Sequence, residues 1–176
     1  MAIEYRTEPE YIEYLDDVAH PKVSPRLPHG IVQGALAAIL REKTRGKGVV
    51  ATEWDCWLPA CKRLTKFIPD VSFVSYERLR PLGEEDRHFR PFAPDIAVEV
   101  WSRGDSREYL KKKIELYLSH GSLIVFDVDP TKRIVHAITV DGETSLGEGD
   151  RFSDDIAPWL QFDVAEIFSD LDIPPA

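Results

Sequence analysis

The chain is poor in several things. Its 176 residues contain two cysteines, Cys56 and Cys61, too few for a disulfide framework. Their C-x4-C spacing has no second pair and no nearby histidine, which excludes a zinc finger or ribbon. Both read as reduced core thiols, in keeping with a cytoplasmic protein. No apolar run approaches the roughly 20 residues that span a bilayer, so no membrane partner is expected. Met1 to Glu10 carries acids and no apolar stretch, unlike a secretory leader. There is no internal repeat and no low-complexity tract. Basic charge is also short: 22 Lys and Arg face 31 Asp and Glu, a net charge of −9. Proteins that grip duplex nucleic acid non-specifically do so by neutralising phosphates. The acidic balance argues against tight, unaided duplex binding, and any contact with DNA requires a local basic patch.

What the chain does have is a strand with acids in it. Pro94-Asp95-Ile96-Ala97-Val98-Glu99-Val100-Trp101 alternates at a period of two. Ile96, Val98 and Val100 therefore share one face, and Asp95, Ala97, Glu99 and Trp101 the other. A carboxylate inside an otherwise apolar strand is costly to bury unless something pairs with it or binds it. A second Pro-Asp pair, Pro69-Asp70, opens an earlier strand over 66–74, and a lysine, Lys113, follows fourteen residues after Glu99 on a predicted helix.

Around this strand the pattern predicts a short amphipathic helix over 8–17, then an extended connector at Pro21, Pro25 and Pro28. Helical spacing of Val32, Ala35, Leu36, Ile39 and Leu40 predicts a helix from His29 to Lys43. A strand over 49–58 precedes the one at 66–74, and the charged span 76–92, centred on Glu84-Glu85-Asp86-Arg87, reads as a surface loop. Asp105 with Glu108 three residues on signs a helix start, and that helix runs to about Ser119 and Gly121. Leu123–Val128 reads as a strand covered on both faces. Asp141-Gly142 joins two further strands as a hairpin, and a short helix falls near Val164–Phe168. The fold class is α/β: a mixed central sheet flanked by helices, with a trailing hairpin. Residues 1–22 form an N-terminal segment, 23–170 one domain, and 171–176 a tail.

Helix, three strands, helix, strand, with acids on the second and third strands, resembles the PD-(D/E)XK restriction-endonuclease-like sandwich. In its words the chain is similar to the Uma-type "putative restriction endonuclease" family. The matching pieces are Val23-Ser24-Pro25 with His29-Gly30, Ile68-Pro69-Asp70-Val71, Pro94 to Ser102, Lys113-Ile114-Glu115-Leu116-Tyr117, and Val125 to Pro130, in that order. The resemblance implies a Mg²⁺-dependent (or Mn²⁺-dependent) endonuclease acting on DNA, working as a homodimer. One departure is plain: two residues after Glu99, where the superfamily places a lysine, stands Trp101. On a helical wheel Lys111 and Lys113 flank the buried stripe about equally, and the family's Lys-x-x-x-Tyr spacing selects Lys113 with Tyr117.

Asp95 and Glu99 lie four residues apart, roughly 13 Å along a straight strand, too far to chelate one ion. If the strands of Asp70 and Glu99 run antiparallel, those two acids face each other. They are the expected metal ligands, with the Val100 carbonyl as a third. Lys113 is expected to orient water or stabilise the transition state. Asp95 is retained as a second-tier catalytic candidate, and His29 as a group that touches a phosphate or metal-bound water. The competing reading is a nuclease-fold binding or assembly module without turnover.

Overall fold

The computed structural model describes residues 11–22, 25–58, 63, 65–83, 92–102 and 104–173. Cys61, Val23-Ser24, the Glu84–Arg87 run and residues 8–10 of the expected first helix lie outside that set.

The described part of that helix is instead a β-hairpin, β1 (Ile12–Leu15) and β2 (Val18–Pro21). Its register, Leu15↔Val18 out to Ile12↔Pro21, leaves a two-residue turn. Asp16 and Asp17 both take positive φ, 53° and 70°, as this hairpin turn requires. Aspartate tolerates the left-handed region better than most residues. The signal is weaker than Asn-Gly, and the tyrosines at 11 and 14 mimic a helical stripe.

Helix α1 (Leu27–Lys43) starts slightly earlier than its periodicity suggests, with Pro28 inside its first turn rather than in a connector. A proline there loses no hydrogen bond, because the first N–H groups of a helix have no intrahelical acceptor. The expected strands 49–58 and 66–74 each divide. Their halves β3 (Gly48–Thr52) and β6 (Val71–Ser75) join the central sheet. The other halves, β4 (Cys56–Trp57) and β5 (Lys66–Phe67), join the first hairpin in a four-stranded sheet ordered β2-β1-β5-β4. One turn of helix, α2 (Tyr76–Leu79), opens what sequence marks as loop.

Then come β7 (Ile96–Val100), α3 (Arg107–Ser119) and β8 (Ile124–Asp129). These form a strand–helix–strand unit whose strands pair in parallel, the crossover that a parallel pair needs. Ser106, not Asp105, caps α3: its hydroxyl accepts from the Tyr109 N–H, while Asp105 accepts from the Ser102 N–H. The trailing hairpin forms as expected from β9 (Ile134–Thr139) and β10 (Gly142–Gly147). A small pair, β11 (Arg151–Phe152) and β12 (Phe162–Asp163), and the short helix α4 (Ala165–Phe168) close one side.

The central sheet runs β10-β9-β8-β7-β6-β3 and is mixed, with β7–β8 its parallel pair. Its two faces divide as the alternation of β7 requires. Ile96, Val98 and Val100 pack with Val32, Leu36 and Leu40 of α1 and with Phe126, Phe152 and Phe162. Ala97 packs on the opposite face with Ile114 and Tyr117 of α3 and with Phe67. No helix among the described residues is long and apolar enough to cross a membrane.

Candidate active site

Strands β6 and β7 are antiparallel, with Val71 opposite Val98, so the register carries Asp70 to a place opposite Glu99. The junction is held by backbone and side chain together. The Asp70 N–H donates to the Val98 carbonyl at 3.1 Å, and Asp70 Oδ2 accepts from the Val100 N–H at 2.7 Å. Asp70, Glu99, Val100 and Lys113 line one cavity of about 460 Å³. Of the two lysines that flank the α3 stripe, Lys113 is 3% exposed and enters this cavity, whereas Lys111 is exposed.

Lys113 Nζ sits between two carboxylates. It donates at 2.7 Å to Glu99 Oε2 and at 2.7 Å to Glu13 Oε1. The Tyr117 hydroxyl donates to Glu99 Oε1 at 3.0 Å, so the Lys-x-x-x-Tyr spacing places both donors, one helical turn apart, on the same carboxylate. Glu13 is the member that sequence reasoning missed. It comes from the first hairpin, where its other partners are the Ile68 N–H and the Tyr109 hydroxyl. Reading 8–17 as a strand would have exposed it, because an acid in a short apolar strand carries the same signal as Glu99.

On the Asp70 side, Lys22 Nζ lies 2.7 Å from Oδ1 and His29 Nε2 lies 3.4 Å from it. The same ammonium also donates to the Ile68 carbonyl at 2.6 Å. Oδ1 is thus a buried oxygen held by ion-pair contacts, without a well-aligned hydrogen bond. The other ring nitrogen of His29 meets the Ser102 hydroxyl at 2.9 Å, which holds the imidazole toward the carboxylate.

The charges do not balance. Three buried carboxylates (Glu13, Asp70 and Glu99) face two ammonium groups. Burial pushes the Glu99 carboxyl up to about 7, and the neighbouring Asp70 and Glu13 add to this, outweighing the pull of Lys113. Burial also works to raise Asp70, but His29 and Lys22 hold it well below the usual carboxylate range. Glu13 is likewise held low against burial, chiefly by Lys113. Lys113, between two acids, is driven up despite its burial.

Two carboxylates that converge in one cavity, an Asp70 oxygen without a well-aligned hydrogen bond and an all-oxygen donor set fit a hard divalent cation. Such an ion takes one or two carboxylates and keeps waters on its remaining positions. Among the described residues there is no cluster of three or more His, Cys, Asp or Glu arranged to hold a metal. A protein-only cage is therefore not the arrangement on offer.

Asp95 is not brought to this site. Its Oδ2 accepts from the Ser75 N–H at 2.7 Å and its Oδ1 lies 3.6 Å from Arg78, bracing the junction between β6 and α2. Cys56 is buried in the apolar cluster under α3, with its thiol pushed up by burial.

The class of fold this arrangement belongs to is that of the solved structure described as "a putative nuclease belonging to DUF820 from Anabaena variabilis ATCC 29413". The two agree with a TM-score of 0.76 at 19% identity, covering 90% of this chain and 89% of that one, a likeness that establishes the fold. Over residues 2–165 the chain matches the Uma2 family, described as "Putative restriction endonuclease", and it belongs to that family. No curated protein matches the chain significantly.

Proposed function

We propose that this protein is a Mg²⁺- or Mn²⁺-dependent endonuclease that hydrolyses DNA phosphodiester bonds, acting in the cytoplasm as a homodimer. The observation that carries the reading is the convergence of Asp70 and Glu99 across an antiparallel strand pair, with Lys113 Nζ 2.7 Å from Glu99. Asp70 and Glu99 would hold the ion, with the Val100 carbonyl as a third ligand. When bound, the ion lowers the pKa of a coordinated water and offsets charge on the scissile phosphate.

The chain's own groups have separable tasks. The Val100 N–H, at 2.7 Å from Oδ2, fixes the Asp70 carboxylate. Tyr117 and Lys113 fix Glu99 from two sides. Glu13 restrains the Lys113 ammonium and keeps it charged, so that it points into the cavity as a donor toward the attacking water or the developing negative charge. His29 stands within reach of a phosphate oxygen or a water beside Asp70.

The test is cleavage of plasmid and single-stranded oligonucleotide with Mg²⁺, Mn²⁺ or chelator present. Asp70→Asn and Glu99→Gln are each expected to lower the rate at least ~100-fold, the scale on which one transition-state-stabilising group is lost. Metal-dependent cleavage that persists in both variants would end the assignment.

A second reading, a nuclease-fold binding module without turnover, is favoured by one observation: lysine ammonium groups already lie against both Asp70 and Glu99. It requires that calorimetry find no saturable Mn²⁺ binding.

A further inference from the structure

Lys22 stands outside the two-acid, one-lysine set, yet it is the cation nearest Asp70. It follows directly on β2, where its backbone N–H donates to the Tyr11 carbonyl at 2.9 Å. The hairpin thereby carries two charges into the site from opposite strands. Glu13 answers Lys113, and Lys22 answers Asp70. The Lys22 side chain is 16% exposed and that of Asp70 is 3% exposed, and both line the cavity. Lys22 is thus the more exposed partner of the pair.

A divalent ion approaching Asp70 Oδ1 from the cavity meets a positive charge already 2.7 Å from that oxygen. Two cations drawn to one buried oxygen repel each other, and withdrawal of the ammonium relieves that repulsion. A lysine head on its flexible four-carbon stem is able to do so. Withdrawal costs it the Asp70 partner, and the Ile68 carbonyl alone does not neutralise it. The substrate class of the proposed reaction supplies the replacement, because a phosphate oxygen in the cavity is an anionic acceptor.

We propose that Lys22 is a substrate-contacting residue that couples metal loading to phosphate binding: its ammonium guards Asp70 in the free protein and moves to a substrate phosphate oxygen when ion and nucleic acid enter together. The inference rests on the metal-dependent nuclease reading and adds an order of events to it. Free ion alone binds weakly, and ion with a phosphodiester binds well.

Calorimetry with Mn²⁺ alone, and with Mn²⁺ plus a phosphorothioate oligonucleotide that resists cleavage, tests the coupling. In the unaltered protein the oligonucleotide is expected to tighten Mn²⁺ binding at least ~5-fold, the low end of ordinary coupling between sites. Lys22→Met keeps the stem and removes the charge. It is expected to bind Mn²⁺ alone at least ~5-fold tighter than the unaltered protein, with the oligonucleotide changing that affinity less than ~2-fold. Losing a merely structural contact would weaken binding, so the direction itself discriminates. Lys22→Arg retains the charge and should retain the coupling. If Lys22→Met does not fold by thermal melting, Lys22→Gln carries the same comparison. Mn²⁺ affinity unchanged or weaker in the neutral variant overturns the Lys22 inference alone. Absence of Mn²⁺ binding in every form, with or without oligonucleotide, removes the metal reading and this inference with it.

Discussion

The two faces of the central sheet are built from the same strands and are opposite in kind. Under α1, β6, β7 and β8 present Val71, Phe73, Ile96, Val98, Val100, Phe126 and Val128 to a continuous apolar cluster. Under α3, the same strands and their ends present Ala97 and Val125 together with Asp70, Glu99 and Asp127, all buried. One face removes apolar surface from water, which is the dominant favourable term in folding. The other buries carboxylates beside one another, and burial raises the Glu99 carboxyl to about 7. The difference teaches that the α1 face carries the stability that the α3 face gives up, and that an acid which is unfavourable where it stands is a sound pointer to chemistry.

Breaking the apolar face should have the largest effect on folding. Phe126 is fully buried and meets Phe152 and Phe162 with ring centroids 5.0 and 5.9 Å away. Phe126→Ala is expected to cost about 3–5 kcal/mol, read as a lower urea midpoint with an unchanged slope.

The polar face should respond in the other sense. Because the folded protein raises the Glu99 carboxyl to about 7, it holds that proton more tightly than the unfolded chain does. Stability on this account is greatest below the ordinary glutamate range, falls as pH rises from there to about 7, and stays reduced above it. At ~1.4 kcal/mol for each tenfold change in proton affinity, the cost at pH 8 is on the order of 3 kcal/mol. Glu99→Gln is therefore expected to melt several degrees higher than the unaltered protein at pH 8 and nearly level with it at pH 5, while cleavage is lost. A variant less stable at pH 8 would show that Lys113 and Tyr117 stabilise the ionised carboxylate more than burial opposes it.

The smallest effect belongs to the acid that sequence could not place. Asp95→Ala removes the acceptor of the Ser75 N–H and is expected to cost about 1–2 kcal/mol. Mn²⁺ affinity by calorimetry should stay within about twofold, since the cavity is elsewhere. Loss of metal binding in that variant would return Asp95 to the site and blur the contrast between bracing and functional acids.

Much of the architecture was legible along the chain because it depends on neighbours in sequence. The period of two in β7 sorts its residues onto two faces. The run of helical spacing after His29 marks α1, and Asp141-Gly142 marks the last hairpin, whose turn is Val140-Asp141 with Gly142 paired to Thr139. The opposition of Asp70 and Glu99 was also within reach, since an antiparallel pair needs only the direction of its two strands. The first hairpin was not legible, because Tyr14 lies at helical spacing from Tyr11 and also alternates with Ile12 in a strand of only four residues.

What only the tertiary structure decided is which charges meet. Glu13 and Lys113 are separated by 100 residues and lie 2.7 Å apart, and Lys22 and Asp70 flank strands of different sheets. No local pattern encodes such a meeting, because it depends on how the first hairpin docks against β5 (Tyr14 opposite Lys66) and on how α3 crosses the sheet. The residue types, their faces and the strand that carries Glu99 were properties of the chain read in order. The charge balance of the cavity, and so the raised Glu99 carboxyl and the ammonium beside Asp70, arises from distances that exist only once remote segments pack together and exclude water.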